Sequence, residues 1–273
     1  MKKKWLAAIT TLALGVLVLT GCGKQKEETL TVGASATPQA EILKHVQPQL
    51  KKEGVDLKIK TFQDYVLPNK ELASGDLDAN YFQHKPFLDN WNKKNHGTLV
   101  SAGNVHLEPL GFYSKKYKKL SDLPDGSTIL VSNNVADYGR VLQILKDAGL
   151  ITLKPGTKIE SANFDDIQTN KKNLKFKTDL EPKLMTQFYK RGEGAAVVIN
   201  ANYAVQAGLN PKKDAIALEK NTSPYANLIA VQKKNKNNPA IKKLVKALQS
   251  KSTQQWINNH YNGGVVAVYL NGK

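Results

Sequence analysis

An aromatic cluster lies between Asp78 and Leu88, where three aromatic rings and an imidazole fall within residues 81–87. This stretch is expected to leave a strand and to enter a helix at Pro86, because proline is favoured in the first helical turn. Aromatic rings with a few polar groups are typical of the walls of small-ligand pockets. Rings of this kind also fill ordinary hydrophobic cores, and composition alone favours that interpretation. The rings of this stretch are those of Tyr81, Phe82 and Phe87, and the imidazole is that of His84.

Three polar side chains farther along the chain follow predicted strands. Arg140 stands in the first turns of a predicted helix, where a guanidinium could clamp a carboxylate with two hydrogen bonds or form a surface ion pair. Asn200 and Asn227 each come at or beside a strand end, and an amide offers both a donor and an acceptor. Two amides of this kind can read an amino group together with a carboxylate, although each asparagine alone is more often a turn or cap residue.

The motifs of the common catalytic chemistries are absent from the sequence. It contains no nucleophile elbow, zinc-protease helix, phosphate-binding loop or dinucleotide fingerprint. The five histidines show no metal-ligand spacing, and the single cysteine, Cys22, excludes an intramolecular disulfide. We therefore expect a protein with no catalytic residues, no metal and no cofactor.

The chain is strongly basic, with a formal net charge of +17 over 273 residues. Most lysines occur in scattered pairs among turn-forming residues, without the interleaved aromatic rings that stack nucleic-acid bases. This pattern favours a solvated basic surface and no nucleic-acid partner. A surface adhesin that binds anionic polymer through its lysines is the rival function from another class.

The amino terminus has the organisation of a bacterial lipoprotein leader. Three lysines at positions 2–4 precede an apolar run from Trp5 to Leu19, which is short for a membrane span. The following Thr20-Gly21-Cys22 resembles a lipobox, whose cysteine is acylated. The sequence thus predicts a signal peptide over 1–21, a polar tether over 22–28 and a lipid anchor on the extracytoplasmic face of the cell membrane.

The elements that must position the candidate residues alternate between strands and helices, which indicates an α/β fold. A helix starting at Thr37-Pro38 and ending near Gly54 separates two strands, near residues 30–33 and 55–59. Further strands are predicted at 98–105, 109–114, 128–132, 174–178, 195–199, 214–219 and 226–232. Further helices are predicted at 67–74, 85–94, 138–148, 182–190, 201–207, 238–249 and 252–261.

Taken together, these segments resemble the methionine-binding lipoproteins of ABC importers, the NlpA/MetQ family. The strings NYFQHKPF and SPYANLI are the most specific, and the likeness runs through the whole mature chain. The resemblance implies a two-lobed type II periplasmic-binding-protein fold with two hinge crossings, near 108–114 and 222–232. Lobe 1 would comprise 29–108 plus 229–273, and lobe 2 would comprise 109–228.

The resemblance also implies a function and a set of ligand contacts. The chain would capture methionine, in the L form and with the D form left open, and deliver it to an ABC transporter permease. Arg140 would hold the α-carboxylate, and Asn200 and Asn227 would hold the amino-acid backbone. Phe87 stands where the family usually has tyrosine, which leaves another apolar amino acid or a methionine-containing dipeptide open as the ligand. The side chains that would wall the thioether are Tyr65, Phe82, His84 and Phe87.

Overall fold

The computed structural model describes residues 27–220 and 225–269, so the predicted signal peptide and Cys22, the predicted acylation site, lie outside the described residues. The helices are α1 (Gln39–Lys52), α2 (Leu67–Ser74), α3 (Lys85–Asn95), α4 (Tyr138–Asp147), α5 (Met185–Arg191), α6 (Ala201–Gln206), α7 (Pro211–Asp214), α8 (Pro239–Leu248) and α9 (Lys251–Tyr261). The strands are β1 (Glu28–Ser35), β2 (Val55–Phe62), β3 (Ala79–His84), β4 (Leu99–Leu107), β5 (Gly111–Tyr113), β6 (Thr128–Ser132), β7 (Ile151–Leu153), β8 (Ile167–Asn170), β9 (Lys175–Leu180), β10 (Ala196–Ile199), β11 (Ala217–Leu218), β12 (Ala226–Gln232) and β13 (Val266–Ala267).

Two main sheets define two lobes, and both sheets repeat one strand order. Lobe 1 is built on a six-stranded sheet in the order β2-β1-β3-β12-β4-β13, and lobe 2 on a five-stranded sheet in the order β9-β6-β10-β5-β11. In each sheet, three parallel strands are followed by an antiparallel strand that enters from the other lobe. This topology confirms the predicted two-lobed type II fold.

The chain passes between the two sheets twice, once between β4 and β5 and once between β11 and β12. Both passages overlap the segments predicted as hinge crossings, while the lobe limits themselves stay a prediction. The second passage includes residues outside the described ranges. Two crossings leave each lobe with its own core, so that the space between the sheets is free to form a ligand cleft.

Each lobe packs helices on both faces of its sheet around separate apolar clusters. In lobe 1, α1, α8 and α9 cover one face, and a smaller cluster fills the other face beneath α2 and α3. The strand β3 is buried along its whole length because it lies in the centre of this sheet. Within the described residues, none of the helices combines the length and the apolar character needed to cross a bilayer.

Most predicted elements are present, with differences at their ends. α1 begins at Gln39 rather than with Thr37 as its cap, and the Thr37 hydroxyl instead donates to Glu41 Oε1 at 2.6 Å. The strand predicted at 214–219 is limited to Ala217–Leu218, since 211–214 form a short helix capped by the Asn210 side chain. The antiparallel pair β7 and β8 was not predicted, because strands of three and four residues leave almost no periodicity.

Candidate ligand-binding site

A cavity lies between the lobes, with about 360 Å³ of space not occupied by atoms, part of it open to solvent. Its lining comes from strand ends and helix starts of both sheets, where side chains from distant segments converge. All seven residues predicted as ligand contacts line it: Tyr65, Phe82, His84, Phe87, Arg140, Asn200 and Asn227.

Lobe 1 contributes an aromatic wall to this cavity. Tyr65 follows β2, Phe82 lies on β3, and Phe87 stands in the first turn of α3. The centroid of the Tyr65 ring lies 6.0 Å from those of both phenylalanines, and the two phenylalanine centroids are 5.6 Å apart. Phe82 is buried, lines the cavity and belongs to none of the apolar clusters of either lobe. Aromatic faces and edges of this kind suit an apolar or sulfur-containing group.

His84 joins the aromatic wall to a charged wall, which is built around Asp137 and Arg140 of lobe 2. It caps the start of α3, and its Nδ1 accepts a hydrogen bond from the Phe87 backbone N at 3.3 Å. Nδ1 therefore carries a lone pair, which leaves the proton of the neutral ring on Nε2. Nε2 then donates to Asp137 Oδ1 across the lobe boundary, at 3.0 Å. The tautomer of His84 is set by these two contacts.

Asp137 is the hub of the charged wall. Its carboxylate accepts hydrogen bonds from four side chains, those of His84, Arg140, Asn134 and Asn200, at 2.7–3.0 Å. Burial alone would raise the pKa of Asp137, but the charge of Arg140 and the hydrogen bond from His84 outweigh it and hold the pKa well below its usual range. The group is thus a saturated anion that orients its neighbours.

Arg140 is buried at 4% exposure, so the alternative of a surface ion pair is wrong. Its Nη1 donates to Asp137 at 2.9 Å, its Nη2 donates to the Glu108 carbonyl at 2.7 Å, and its Nε donates to both oxygens of Glu219 at 3.0 Å. Nη2 also donates to Glu219, which leaves one Nη1 hydrogen without an acceptor among the described residues. The Tyr225 ring packs 4.9 Å from the guanidinium carbon. One hydrogen-bond donor of a fixed, buried cation is therefore available to a ligand.

The amides on the two lobes also keep unused atoms. Asn227 Oδ1 accepts from Gln39, while its Nδ2 makes no hydrogen bond within the described part of the chain. Asn200 Nδ2 donates to Asp137, and its Oδ1 is likewise without a donor among the described residues. The cavity thus presents one amide donor and one amide acceptor beside Arg140.

A buried carboxylate, Glu108, completes the polar side. Its Oε1 accepts from Gln39 at 2.5 Å and from His106 at 2.8 Å, and its Oε2 accepts from the Asn202 backbone N at 3.0 Å. The Tyr81 hydroxyl donates to the other ring nitrogen of His106, which places the His106 proton toward Glu108. Glu108 lies at the first crossing and is held from both lobes.

Within the described residues, no group of three or more histidine, cysteine, aspartate or glutamate side chains could hold a metal ion. The arrangement suits recognition of a zwitterion, since it offers a cation donor, carboxylates and amides around an apolar wall.

A wider groove of about 1,330 Å³ leads to the cavity and shares Tyr65, Phe87 and Asn134 with it. Its rim carries Val66 and Val135, which are 55% and 44% exposed on opposite lobes. This groove is the entrance between the lobes.

A family model described as NlpA lipoprotein matches residues 30–269. The chain belongs to the NlpA lipoprotein family. It is 47% identical to the methionine-binding lipoprotein MetQ of Bacillus subtilis, over 98% of this chain and 99% of the relative.

Solved structures of similar proteins agree with this membership. A pheromone cOB1 precursor/lipoprotein of the YaeC family from Enterococcus faecalis is 60% identical, with a TM-score of 0.86 over 88% of this chain and 100% of that one. A nutrient-binding protein from Burkholderia cenocepacia bound to methionine is 46% identical, with a TM-score of 0.82 over 87% of this chain and 99% of that one.

Several cavity residues of this NlpA lipoprotein were missed from the sequence. Asp137 stands three residues before Arg140, a spacing that predicts contact on a helical start and was a usable signal. Asn202 follows Asn200 by two residues, and its side chain accepts from the Tyr65 hydroxyl at 2.6 Å. Glu108 binds His106 two residues before it, but its other partners lie far away in the chain. Glu219, which holds Arg140 without lining the cavity, carried no local signal, because Arg140 lies 79 residues away.

Proposed function

We propose that this NlpA lipoprotein is the extracytoplasmic substrate-binding protein of an ABC importer and that it captures methionine between its lobes. The observation that carries the proposal is a cavity between the lobes with an aromatic wall on lobe 1, a buried arginine on lobe 2 and one amide from each lobe with an unused atom. Methionine has the matching halves, a thioether chain and a zwitterionic head.

The cavity supports one orientation of the ligand. The thioether would lie against Tyr65, Phe82 and Phe87, where each sulfur–aromatic contact contributes about 0.3–1.5 kcal/mol. The α-carboxylate would accept from the free Nη1 hydrogen of Arg140 and from Asn227 Nδ2. The ammonium group would donate to Asn200 Oδ1 and lie near the Glu108 carboxylate, which balances its charge.

The direct hydrogen bonds between the lobes support capture by closure. Tyr65 donates to Asn202 Oδ1, and His84 donates to Asp137, so the two walls are linked around the cavity. Opening at the two crossings would break these bonds and release the ligand to a permease. Acylation of Cys22 would keep the protein at the membrane, where the local concentration of its transporter is high.

Isothermal titration of ligand-stripped protein with L- and D-methionine tests the proposal. We expect low- to sub-micromolar affinity for the L form. The affinity for the D form, compared with that for the L form, shows how strongly the site distinguishes the two enantiomers. Norleucine, leucine and a methionine-containing dipeptide form the comparison set. Absence of heat with both enantiomers would refute the methionine assignment, and tighter binding of a comparison ligand would replace it.

Mass spectrometry gives an independent readout of ligand and anchor. A closed cavity is expected to retain its ligand through purification, so denaturation of the protein should release methionine. The mass of the mature chain should correspond to a polypeptide that starts at Cys22 and carries acyl groups. An unmodified cysteine would contradict the anchor without affecting the ligand assignment.

A further inference from the structure

The carboxyl-terminal part of the chain has an unusual charge distribution. Residues 220–273 contain nine lysines and no aspartate or glutamate, and Glu219 is the last acidic residue. The described part of this segment forms β12, α8 and α9 of lobe 1. Its positive charges therefore belong to one lobe and have no acidic neighbours in sequence.

Three of these lysines lie at the end of the sheet opposite the cavity. Strand β12 begins beside the cavity, where Asn227 pairs with His84, and ends at Gln232. Lys233, Lys234 and Lys236 follow directly and are exposed. At about 3.3 Å per residue, these lysines are roughly 20 Å from Asn227.

The same end of lobe 1 is where the described chain begins. Asn238, the cap of α8, donates from Nδ2 to Glu28 Oε1 at 2.8 Å, which ties the basic segment to the first residue of β1. Lys243 donates to the Glu53 carbonyl at 2.6 Å, which brings the end of α1 and the exposed Lys52 to this surface. We call Lys52, Lys233, Lys234, Lys236 and Lys242 the tether-side basic surface.

The short connection to the proposed anchor limits how far this surface can be from a bilayer. Five residue steps separate Cys22 from Glu27, which span at most about 18 Å when fully extended. If Cys22 carries acyl chains, the headgroups lie within that distance of Glu27. Lipidation therefore places the tether-side basic surface next to the membrane.

The charges of this surface are available to an external partner. Among the described residues, none of its five lysines lies in an ion pair. The nearby acids are few: Glu27 is 3.8 Å from Lys51, Glu28 bonds to Asn238, Asp56 pairs with Lys58, and Glu53 and Asp76 lie at element ends. The lysines thus exceed the unpaired acids.

We propose that the tether-side basic surface docks lobe 1 onto anionic phospholipid headgroups. The proposal rests on the acylation of Cys22 in the proposed function, since the anchor supplies the proximity. Each lysine near an anionic bilayer contributes favourably, and the attraction falls off within a Debye length. In the docked state the cavity is at the far end of lobe 1 from the bilayer. Before it binds ligand, the docked protein would therefore have its cleft facing away from the membrane. It would have to leave this orientation in order to bind the permease.

A fluorescence experiment on the full acylated lipoprotein tests the docking. The protein is reconstituted through its anchor into phosphatidylcholine vesicles, with or without about 30% phosphatidylglycerol, a fraction sufficient to give a strong negative surface potential. Because Cys22 is the only native cysteine and is acylated, Asn237→Cys introduces a unique site for a fluorophore. Gln187→Cys provides the same label on lobe 2. Lipids with a headgroup quencher then report contact.

We expect quenching at position 237 in the anionic vesicles, weak quenching in neutral vesicles, and little quenching at position 187 in either. High salt should abolish the difference, since it screens the attraction. Replacing Lys233, Lys234 and Lys236 by glutamine should lower the docking equilibrium constant on the order of 100-fold. Replacing Lys116, Lys118 and Lys119 on lobe 2 removes the same charge and should leave docking unchanged. Both triple variants should bind methionine as the parent does.

Three outcomes would overturn the docking proposal. Equal quenching in neutral and anionic vesicles would mean that the tether alone brings position 237 to the headgroups, without attraction of the lysines to anionic lipid. Equal loss in the two triple variants would mean that total charge, rather than this surface, is responsible. Stronger binding to a soluble polyglycerol phosphate than to anionic vesicles would assign the surface to an envelope polymer. Labelling of the parent protein at Cys22 would instead show that the anchor, and with it the premise of the docking, had failed, and it would leave the ligand assignment unaffected.

Discussion

The two walls of the cavity differ in how they are assembled. The rings of the aromatic wall all come from lobe 1, where Tyr65, Phe82 and Phe87 contact one another. Tyr65 also packs on lobe 2, with its ring 5.2 Å from that of Tyr203. The charged wall is complete only when the lobes meet, because Asp137 on lobe 2 needs His84 from lobe 1 as one of its donors. We therefore expect an open form to keep its apolar wall and to lose part of its polar one.

This difference assigns separate tasks to the lobes. Lobe 1 offers shape and a polarizable surface, which select the side chain of a ligand. Lobe 2 offers a buried charge, which selects the amino-acid head. Since the polar contacts are completed on closure, the head group would contribute most of the energy that favours the closed form.

The charged wall should show the largest effect. Arg140→Ala should abolish methionine binding, and it should lower the free energy of unfolding by about 3–5 kcal/mol because Asp137 and Glu219 lose their counter-charge. Calorimetry and thermal unfolding measure the two effects. Arg191→Ala removes an exposed arginine paired with Glu193 and should change neither. Micromolar affinity in a folded Arg140→Ala or Arg140→Lys variant would remove Arg140 from the site.

Acid should weaken the same wall. The pKa of Asp137 is lowered in the folded protein, so its stabilisation is present above the unfolded-state pKa, near 4, and is lost as the pH falls below it. We expect ionised Asp137 to contribute on the order of 2 kcal/mol to the free energy of unfolding. Asp137→Asn should show a smaller drop in unfolding temperature between pH 6 and pH 3 than the parent. Asp165→Asn, at an exposed site, should keep the parental drop, and identical drops in all three proteins would contradict the assignment.

A contact that joins the walls should have an intermediate effect. Tyr65→Phe removes the hydroxyl that donates to Asn202 Oδ1 and leaves that buried oxygen without its donor. We expect methionine to bind about 10-fold more weakly, through faster dissociation. Stopped-flow measurement of ligand release checks this. The control is Tyr117→Phe, at a half-buried position of lobe 2 whose hydroxyl makes no hydrogen bond among the described residues. An unchanged rate of ligand release in Tyr65→Phe would mean that the Tyr65–Asn202 hydrogen bond does not stabilise the closed form.

The aromatic wall should show the smallest effect. Phe82→Leu should weaken methionine binding about 5-fold and norleucine binding less, because norleucine has a methylene in place of the sulfur. Titration of both ligands gives the ratio. Phe164→Leu changes a ring that packs on Phe176 in lobe 2, away from the cavity, and should leave the ratio unchanged. An equal loss of affinity for both ligands would mean that the wall recognises the volume of the side chain and not its sulfur atom.

Local patterns predicted much of the fold, and the family resemblance supplied the set of cavity side chains. The chain passes from a strand into a helix start at Pro86 as expected, and the seven side chains that the resemblance implied line one cavity. The short strands β7 and β8 and the limits of β11 were not predictable, because two to four residues do not establish a period. Asp137 was passed over although its distance from Arg140 was informative.

The sequence by itself determined the signal-peptide pattern that ends at Cys22, the alternation of strands and helices, and the chemistry of the aromatic segment. These features are local, since they depend on residues within one turn, one strand or one leader. Only the tertiary structure decided which charges meet. Arg140 is paired with Glu219, 79 residues away, and Glu108 is bound by Gln39 and by the Asn202 backbone across the two lobes. Such pairings arise from strand order and lobe closure, and no periodicity along the chain encodes them.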